Sequence, residues 1–190
     1  MRGDKRERIL RVLLNNKEYL SKNELSKQAE CTRQWFILFL KELKKKKLIR
    51  DTEPINRKKL LQYWINIPKK PKKFRSYMVK KSLEILKKVK LDYALTTYQA
   101  ENIIQHYLFP SRIDLYIKES DLDKWHSIMT KNGLYGKGNV RIIVTDEYIM
   151  YGKKNIGGLS IVSIPQLIID LIKEGGPCQE SAEMLMKRAD

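Results

Sequence analysis

The sequence predicts an α+β protein in two parts, a helical N-terminal part followed by a mixed α/β part. Apolar residues recur at helical spacing up to about residue 46, whereas beyond residue 90 short apolar runs alternate with helical patterns. Between these regions, residues 67–75 contain two prolines and five basic residues, which predicts an extended, semi-rigid linker. The predicted parts are therefore 1–66, 67–75 and 76–190.

Three helices are predicted in the N-terminal part. The first spans residues 4–15 and the second spans 22–30, where Ser-Lys-Asn-Glu has the pattern of a capping box. Thr32 is a favourable N-cap for the third helix, which runs from Arg33 to about Lys46 and buries one apolar stripe.

Two strands are predicted after the third helix. They are Leu48–Arg50 and Leu60–Ile65, and the loop between them contains Pro54 and the basic run Arg57–Lys59. Three helices followed by a two-stranded ribbon is the element order of a winged helix-turn-helix. In helix-turn-helix proteins a recognition helix enters the major groove, so we expect this part to bind double-stranded DNA.

The charge distribution favours the same interpretation. The net charge is +17, and residues 1–75 hold 23 Lys and Arg against 8 Asp and Glu, whereas residues 76–190 hold 16 against 14. Such asymmetry indicates a polyanionic partner for the first part. The alternative is a lysine-rich solvated surface of the thermophile kind, but such surfaces mix lysine with glutamate.

The expected DNA contacts are of two kinds. Thr32, Arg33 and Gln34 begin the third helix, where both base and phosphate contacts are usually made, and there arginine can recognise guanine and glutamine can recognise adenine. Phosphate contacts are expected from the rest of this helix, the wing and the linker. The basic residues in these places are Lys41, Lys44, Lys45, Arg57, Lys58, Lys59, Lys69 and Lys70. For each of them the alternative is a solvated surface.

Three apolar residues depart from the winged-helix pattern. Trp35, Ile37 and Leu38 would lie on faces of the third helix that normally meet DNA or water. We expect part of this surface to pack against a partner subunit or against the C-terminal part, or Ile37 to contact a thymine methyl group of the DNA.

The C-terminal part combines helical and strand patterns. Helices are predicted over 76–90, 99–107, 121–131, 166–173 and 179–187. Strands are predicted over 112–117, 140–144 and 147–151, with a further short apolar stretch over 93–96.

Both parts contain segments that resemble one family. The N-terminal segment is LSKQAECTRQWFILFLKELKKKKLIRD, and the C-terminal ones are YALTTYQAENII, SRIDLYI and IVSIPQLIIDLIKEGGPCQESAEMLMKR. The chain resembles AbiEi-type antitoxins of type IV toxin–antitoxin systems and related archaeal winged-helix regulators. The resemblance implies a dimeric, autoregulatory DNA-binding protein and a cognate toxin as a possible partner. The alternative within this class is a toxin-neutralising interaction module whose DNA binding is secondary.

An enzymatic alternative comes from a faint likeness of residues 93–117 to nucleotidyltransferases. Thr96-Thr97 stands where those enzymes have Gly-Ser, and Arg112 stands two residues before Asp114, where the first metal-binding carboxylate belongs. An arginine there inverts the charge that a metal site needs. We therefore expect no catalysis and at most a degenerate relative of that fold, even with Asp146 as a further carboxylate.

The sequence lacks the residue patterns of several other kinds of site. Cys31 and Cys178 form no cluster with the two histidines, so neither a zinc site nor a bound cofactor is expected. No signal peptide or long apolar run occurs, which predicts a cytoplasmic protein without membrane contact. RNA binding would usually bring exposed aromatic platforms, and the aromatic residues fit core positions better.

Overall fold

Three helices open the chain, as the apolar spacing predicts. The computed structural model describes residues 4–68 and 73–188. The first helices are α1 (Lys5–Asn15), α2 (Lys22–Gln28) and α3 (Arg33–Lys45). Each begins at a residue whose side chain accepts a hydrogen bond from a backbone amide of the first turn, and at α2 the capping box is complete.

The predicted two-stranded ribbon is much shorter in the structure. Strand β1 (Ile49–Arg50) pairs antiparallel with β2 (Glu53–Pro54). The predicted strand 60–65 is wrong, because these residues belong to helix α4 (Arg57–Ile65). Its Tyr, Trp and Ile residues are typical of strands, but the buried positions Leu60, Leu61 and Trp64 have helical spacing, and packing overrides the weak strand propensity.

A seven-stranded mixed sheet forms the centre of the C-terminal part, in the order β6–β3–β7–β5–β4–β9–β8. Strand β5 is parallel to β7, and β4 is parallel to β9, while the other pairs are antiparallel. The strands are β3 (Phe74–Val79), β4 (Ala94–Thr96), β5 (Ile113–Lys118), β6 (Gly133–Tyr135), β7 (Val140–Thr145), β8 (Lys154–Ile156) and β9 (Leu159–Ile161).

Five helices accompany this sheet. They are α5 (Ser82–Lys88), α6 (Thr97–Gln105), α7 (Leu122–Lys131), α8 (Ile164–Glu174) and α9 (Pro177–Arg188). The last four agree with the sequence prediction within a few residues. The α+β class is therefore confirmed at the level of a mixed α/β protein.

Two C-terminal predictions are wrong in detail. The predicted helix 76–90 begins only at Ser82, because residues 74–79 form β3 and alternate between the two sheet faces. The predicted strand 147–151 is a short 3₁₀ helix, Glu147–Met150, and the carboxylate of Asp146 accepts a hydrogen bond from Tyr148 N at 2.9 Å.

The N-terminal helices pack directly on the C-terminal part. Arg11 is buried in α1 and its Nε donates to Gln166 Oε1 of α8 at 2.9 Å. Asn15 Nδ2 donates to Ser163 Oγ at 3.2 Å. Helix α4 also contacts α8, so one hydrophobic core extends across both parts. Residues 74 and 75 of the predicted linker lie in β3.

Strand β6 fits against β3 only because its first residue and a residue that follows it have no side chain. A Cβ at Gly133 would lie 2.1 Å from the carbonyl oxygen of Met78. A Cβ at Gly138 would lie 2.1 Å from the carbonyl oxygen of Tyr77. The close approach of the two backbones therefore requires glycine at both positions.

Candidate nucleic-acid interface

Helix α3 presents two chemically different faces. The buried face consists of Phe36, Phe39, Leu40 and Leu43. The opposite face is exposed and, at positions 34, 38, 41 and 45, carries Gln34, Leu38, Lys41 and Lys45, with Arg33 beside it. Thr32 Oγ1 accepts a hydrogen bond from Trp35 N at 3.3 Å and fixes the start of the helix. The structure thus brings five of the predicted contact residues together on one helix.

The apolar residues of α3 are divided between these faces. Trp35 stacks on Phe39 with 5.7 Å between ring centroids, and Lys5 Nζ lies 5.9 Å from the Trp35 centroid. Ile37 is half-buried, whereas Leu38 is 57% exposed. These contacts of Trp35 lie within the N-terminal part and not with the C-terminal part, whereas Leu38 remains on the outer face.

Lys44 is engaged within the N-terminal part. Its Nζ lies 3.3 Å from Asp51 Oδ1, and Lys22 Nζ lies 2.9 Å from the same oxygen. The hydrogen bonds from Lys22 and Lys44 hold the pKa of Asp51 below its usual range. This exposed cluster ties the tip of the β1–β2 turn to α2 and α3, and it partly neutralises Lys44.

The predicted wing residues do not lie on the ribbon. Arg57, Lys58 and Lys59 form the first turn of α4, and the guanidinium of Arg57 donates to the carbonyl of Leu14. Lys58 and Lys59 are exposed on this helix. The ribbon turn itself contains Asp51 and Thr52 and is not basic. The expected contacts of Lys69 and Lys70 fall outside the described residues.

A second polar cluster lies on the central sheet, where the enzymatic alternative placed its site. The carboxylate of Asp114 is fully buried and accepts bidentate hydrogen bonds from Arg112, at 2.7 and 2.9 Å, and from Arg141, both at 2.9 Å. Glu174 bridges the same guanidiniums, 2.6 Å from Arg112 and 3.2 Å from Arg141. The neighbouring carboxylates raise the pKa of Arg112, so it stays charged.

Thr97 completes this cluster in a strained conformation. Its Oγ1 donates to Asp114 Oδ2 at 2.5 Å, and its φ of 49° lies in the left-handed region. A β-branched residue there costs about 1–3 kcal/mol. The preceding Thr96 donates to Asp170 at 2.7 Å. The structure thus brings Thr97, Arg112 and Asp114 together.

Sequence reasoning missed Arg141 and Glu174. Arg141 reaches Asp114 because β5 and β7 are parallel neighbours with these two residues in register. That register is not visible in the sequence, and nothing local distinguishes Glu174 from other helix-terminal carboxylates. Asp146, the further carboxylate considered above, lies beyond the far end of β7 and caps the 3₁₀ helix instead.

A cleft of about 530 Å³ opens beside the cluster. Its walls come from the residues after α4, from the sheet and from α8. The described lining includes Arg141 and Lys173 together with Asp170 and Glu174, so positive and negative side chains balance. Charge alone therefore does not favour an anion in this cleft.

Among the described residues, neither a metal-ligand cluster nor a cysteine with a lowered pKa occurs. Within 4–68 and 73–188, no group of three or more His, Cys, Asp or Glu residues could hold a metal ion. Burial raises the pKa of both Cys31 and Cys178, which disfavours the thiolate. No helix in the described part of the chain is long and apolar enough to cross a membrane.

The helices and the mixed sheet make this a mixed α/β protein with a helical N-terminal unit. Comparison of the chain with protein-family models, with curated proteins and with solved structures gave no match.

Proposed function

We propose that the chain is a double-stranded DNA-binding regulator that uses α3 as its recognition helix. The observation that carries this proposal is the outer face of α3, where Gln34, Lys41 and Lys45 are exposed in helical register. Arg33 and Gln34 lie in the first turn, the part of a recognition helix that meets base edges. Lysines further along the helix supply phosphate contacts.

The proposed mode of binding differs from the winged form. The ribbon turn carries Asp51 and no basic residue, so it does not serve as a phosphate-binding wing. Affinity in this proposal comes from α3 and from other exposed lysines of the N-terminal part. Binding as a dimer would add the second recognition helix that a single short helix needs for specificity. An autoregulatory antitoxin, as the family resemblance implies, is the corresponding biological role.

We further propose that the C-terminal part has no nucleotidyltransferase activity. In that chemistry, carboxylates bind the metal ions that clamp the attacking and leaving oxygens. Here both oxygens of Asp114 face the guanidiniums of Arg112 and Arg141. These oxygens are buried and already accept hydrogen bonds from the two arginines, so they are not open to a metal ion. In this proposal the C-terminal part serves as a scaffold and interaction domain.

Fluorescence anisotropy with labelled duplex DNA tests the first proposal. The duplex contains the sequence upstream of the gene, and a scrambled duplex measures specificity. The double variant Lys41→Gln/Lys45→Gln should weaken binding to both duplexes and lower the salt slope by about 1.8, since each lost phosphate contact contributes about 0.9. Arg33→Ala/Gln34→Ala should reduce the preference for the cognate duplex.

The matched control is Lys87→Gln/Lys88→Gln. This control also removes two positive charges, but from α5. That helix contacts β9, which lies near the end of the sheet opposite β6. Equal loss of binding in the control and in the α3 variant would show a general charge effect and would refute α3 as the DNA-binding helix.

A further inference from the structure

One edge of the central sheet has basic residues and no acidic ones. Residues 73–81 contain four Lys and Arg, and residues 131–141 contain three, without any Asp or Glu. These segments are neighbours, because β3 pairs with β6 on one side and with β7 on the other. Five of these basic residues are exposed lysines: Lys73, Lys80, Lys81, Lys131 and Lys137.

The same edge exposes large apolar side chains. Phe74 is 58% exposed, Met78 is 51% exposed, and Leu134 is 74% exposed. Phe74 and Met78 point to one face because they are four residues apart on β3. Leu134 lies on that face too, since it pairs directly with Met78. We call this surface, formed by Phe74, Ser76, Met78 and Leu134, the open face.

The lysines lie at both ends of the open face. Lys80 follows the end of β3, and Lys131 precedes β6 at the same end, because Val79 pairs with Gly133. Lys73 precedes β3 at the other end. The span between Lys73 and Lys80 is about 23 Å at 3.3 Å per residue. Arg141 lies 5.7 Å from the Phe74 ring centroid, but Asp114 and Glu174 balance its charge, so the lysines supply the positive charge of this surface.

We propose that the open face binds a single-stranded polynucleotide. Unpaired bases have flat apolar faces that stack on an aromatic ring such as Phe74 and pack on Met78 and Leu134. The lysines at both ends neutralise the phosphates of a strand that runs along β3. This pattern of charge around an exposed aromatic ring was not expected from the sequence, where the aromatic residues fit core positions.

Other occupants fit the open face less well. A second copy of the chain would bring five exposed lysines against five more, and like charges at an interface are strongly unfavourable. Duplex DNA shields its base faces within the stack, so it gives Phe74 nothing to stack on. An acidic protein would satisfy the lysines, and the experiment below distinguishes it from a polynucleotide.

The test uses the full chain and two fluorescent 15-mers, oligo(U) and oligo(dT), measured by anisotropy. Both should bind, because base stacking and phosphate neutralisation require neither the ribose hydroxyl nor the thymine methyl group. Phe74→Ala should weaken binding at least about 5-fold, the lower limit for one lost stacking contact. Lys80→Gln/Lys131→Gln/Lys137→Gln should lower the salt slope by about 2, at about 0.7 per phosphate contact with a single strand.

Two control variants match these changes elsewhere on the surface. Phe109→Ala removes a phenyl ring that is 91% exposed outside the open face. Lys87→Gln/Lys88→Gln/Lys154→Gln removes three charges near the opposite sheet edge, where α5 and β8 lie. Both control variants should bind the oligonucleotides as the unmodified chain does.

Three results would overturn the proposal: no binding of either oligonucleotide, equal effects of Phe74→Ala and Phe109→Ala, or displacement of oligo(dT) by poly-glutamate at equal charge concentration. The last result would identify an acidic protein partner. Lys41→Gln/Lys45→Gln separates this proposal from duplex binding, because it should leave single-strand affinity unchanged.

Discussion

Asp114 shows how a buried charge can be stabilised by several donors at once. Its two carboxylate oxygens accept five hydrogen bonds, two from each of two arginines and one from Thr97. A buried carboxylate is unfavourable unless it is paired and hydrogen-bonded, and here both conditions are met. The cluster joins β5 and β7 to α6 and α8, so its integrity matters to the packing of these helices on the sheet.

The first prediction concerns this carboxylate. Asp114→Asn should reduce the free energy of unfolding by about 3 kcal/mol, because it leaves two guanidiniums without their central anion and turns an amide group toward their donors. Urea unfolding of the full chain measures the change. Asp146→Asn is the control and should cost little, because asparagine also caps a helix. Equal costs for both variants would show that the cluster contributes no special stability.

Individual residues were predictable only where a local rule applies. The caps Ser21 and Thr32 follow from helix-end chemistry and are confirmed. The hydrogen bonds of Asp114 were not predicted, although Arg112 and Thr97 were both named beside it. Arg112 is two residues away in the sequence, whereas Arg141 depends on a strand register that only tertiary packing sets.

At the scale of elements, the start of α3 matters both for the stability of the helix and for the proposed DNA binding. Thr32 caps the helix through its hydroxyl, and the same residue lies where a DNA phosphate is expected. A substitution that keeps the cap but changes the charge can therefore separate the two roles.

The second prediction uses this separation. Thr32→Ala should reduce the free energy of unfolding by about 1 kcal/mol, the usual cost of a lost N-cap. Thr32→Asp should retain stability, because aspartate is a good cap and its charge suits a helix N-terminus. Its negative charge should nevertheless weaken duplex binding several-fold in the anisotropy assay. Unchanged binding by Thr32→Asp would place Thr32 away from the DNA phosphates.

Helices were predictable where a long segment has regularly spaced apolar residues, as in α1, α3 and α8. Short segments were harder to assign. Residues 60–65 have the composition of a strand and the burial of a helix, while β3 continues from a basic segment without a turn signal. In both places contacts with distant elements decided the structure.

At the scale of the whole molecule, the N-terminal helices are not independent of the sheet. Arg11 is buried between α1 and α8, where its guanidinium contacts Gln166 and lies 5.2 Å from the Trp64 ring centroid. We expect such a contact to make the two parts unfold together.

The third prediction tests this coupling. Gln166→Ala should reduce the free energy of unfolding by about 1.5–3 kcal/mol, because it removes a hydrogen bond to a buried charged group. The urea transitions followed by far-UV circular dichroism and by tryptophan fluorescence should coincide in the variant and in the unmodified chain. A separate early transition would instead mean that α1–α4 unfold by themselves.

The two glycines beside β6 have a consequence for recognising distant relatives. A methyl group at Gly133 or Gly138 would push β6 away from β3 and displace Leu134, so the sheet edge tolerates no larger residue at either place. Any lineage that inherited this edge should keep both glycines even where its lysines have drifted. Their spacing of five residues is therefore a more durable marker of common descent than the charges that surround them.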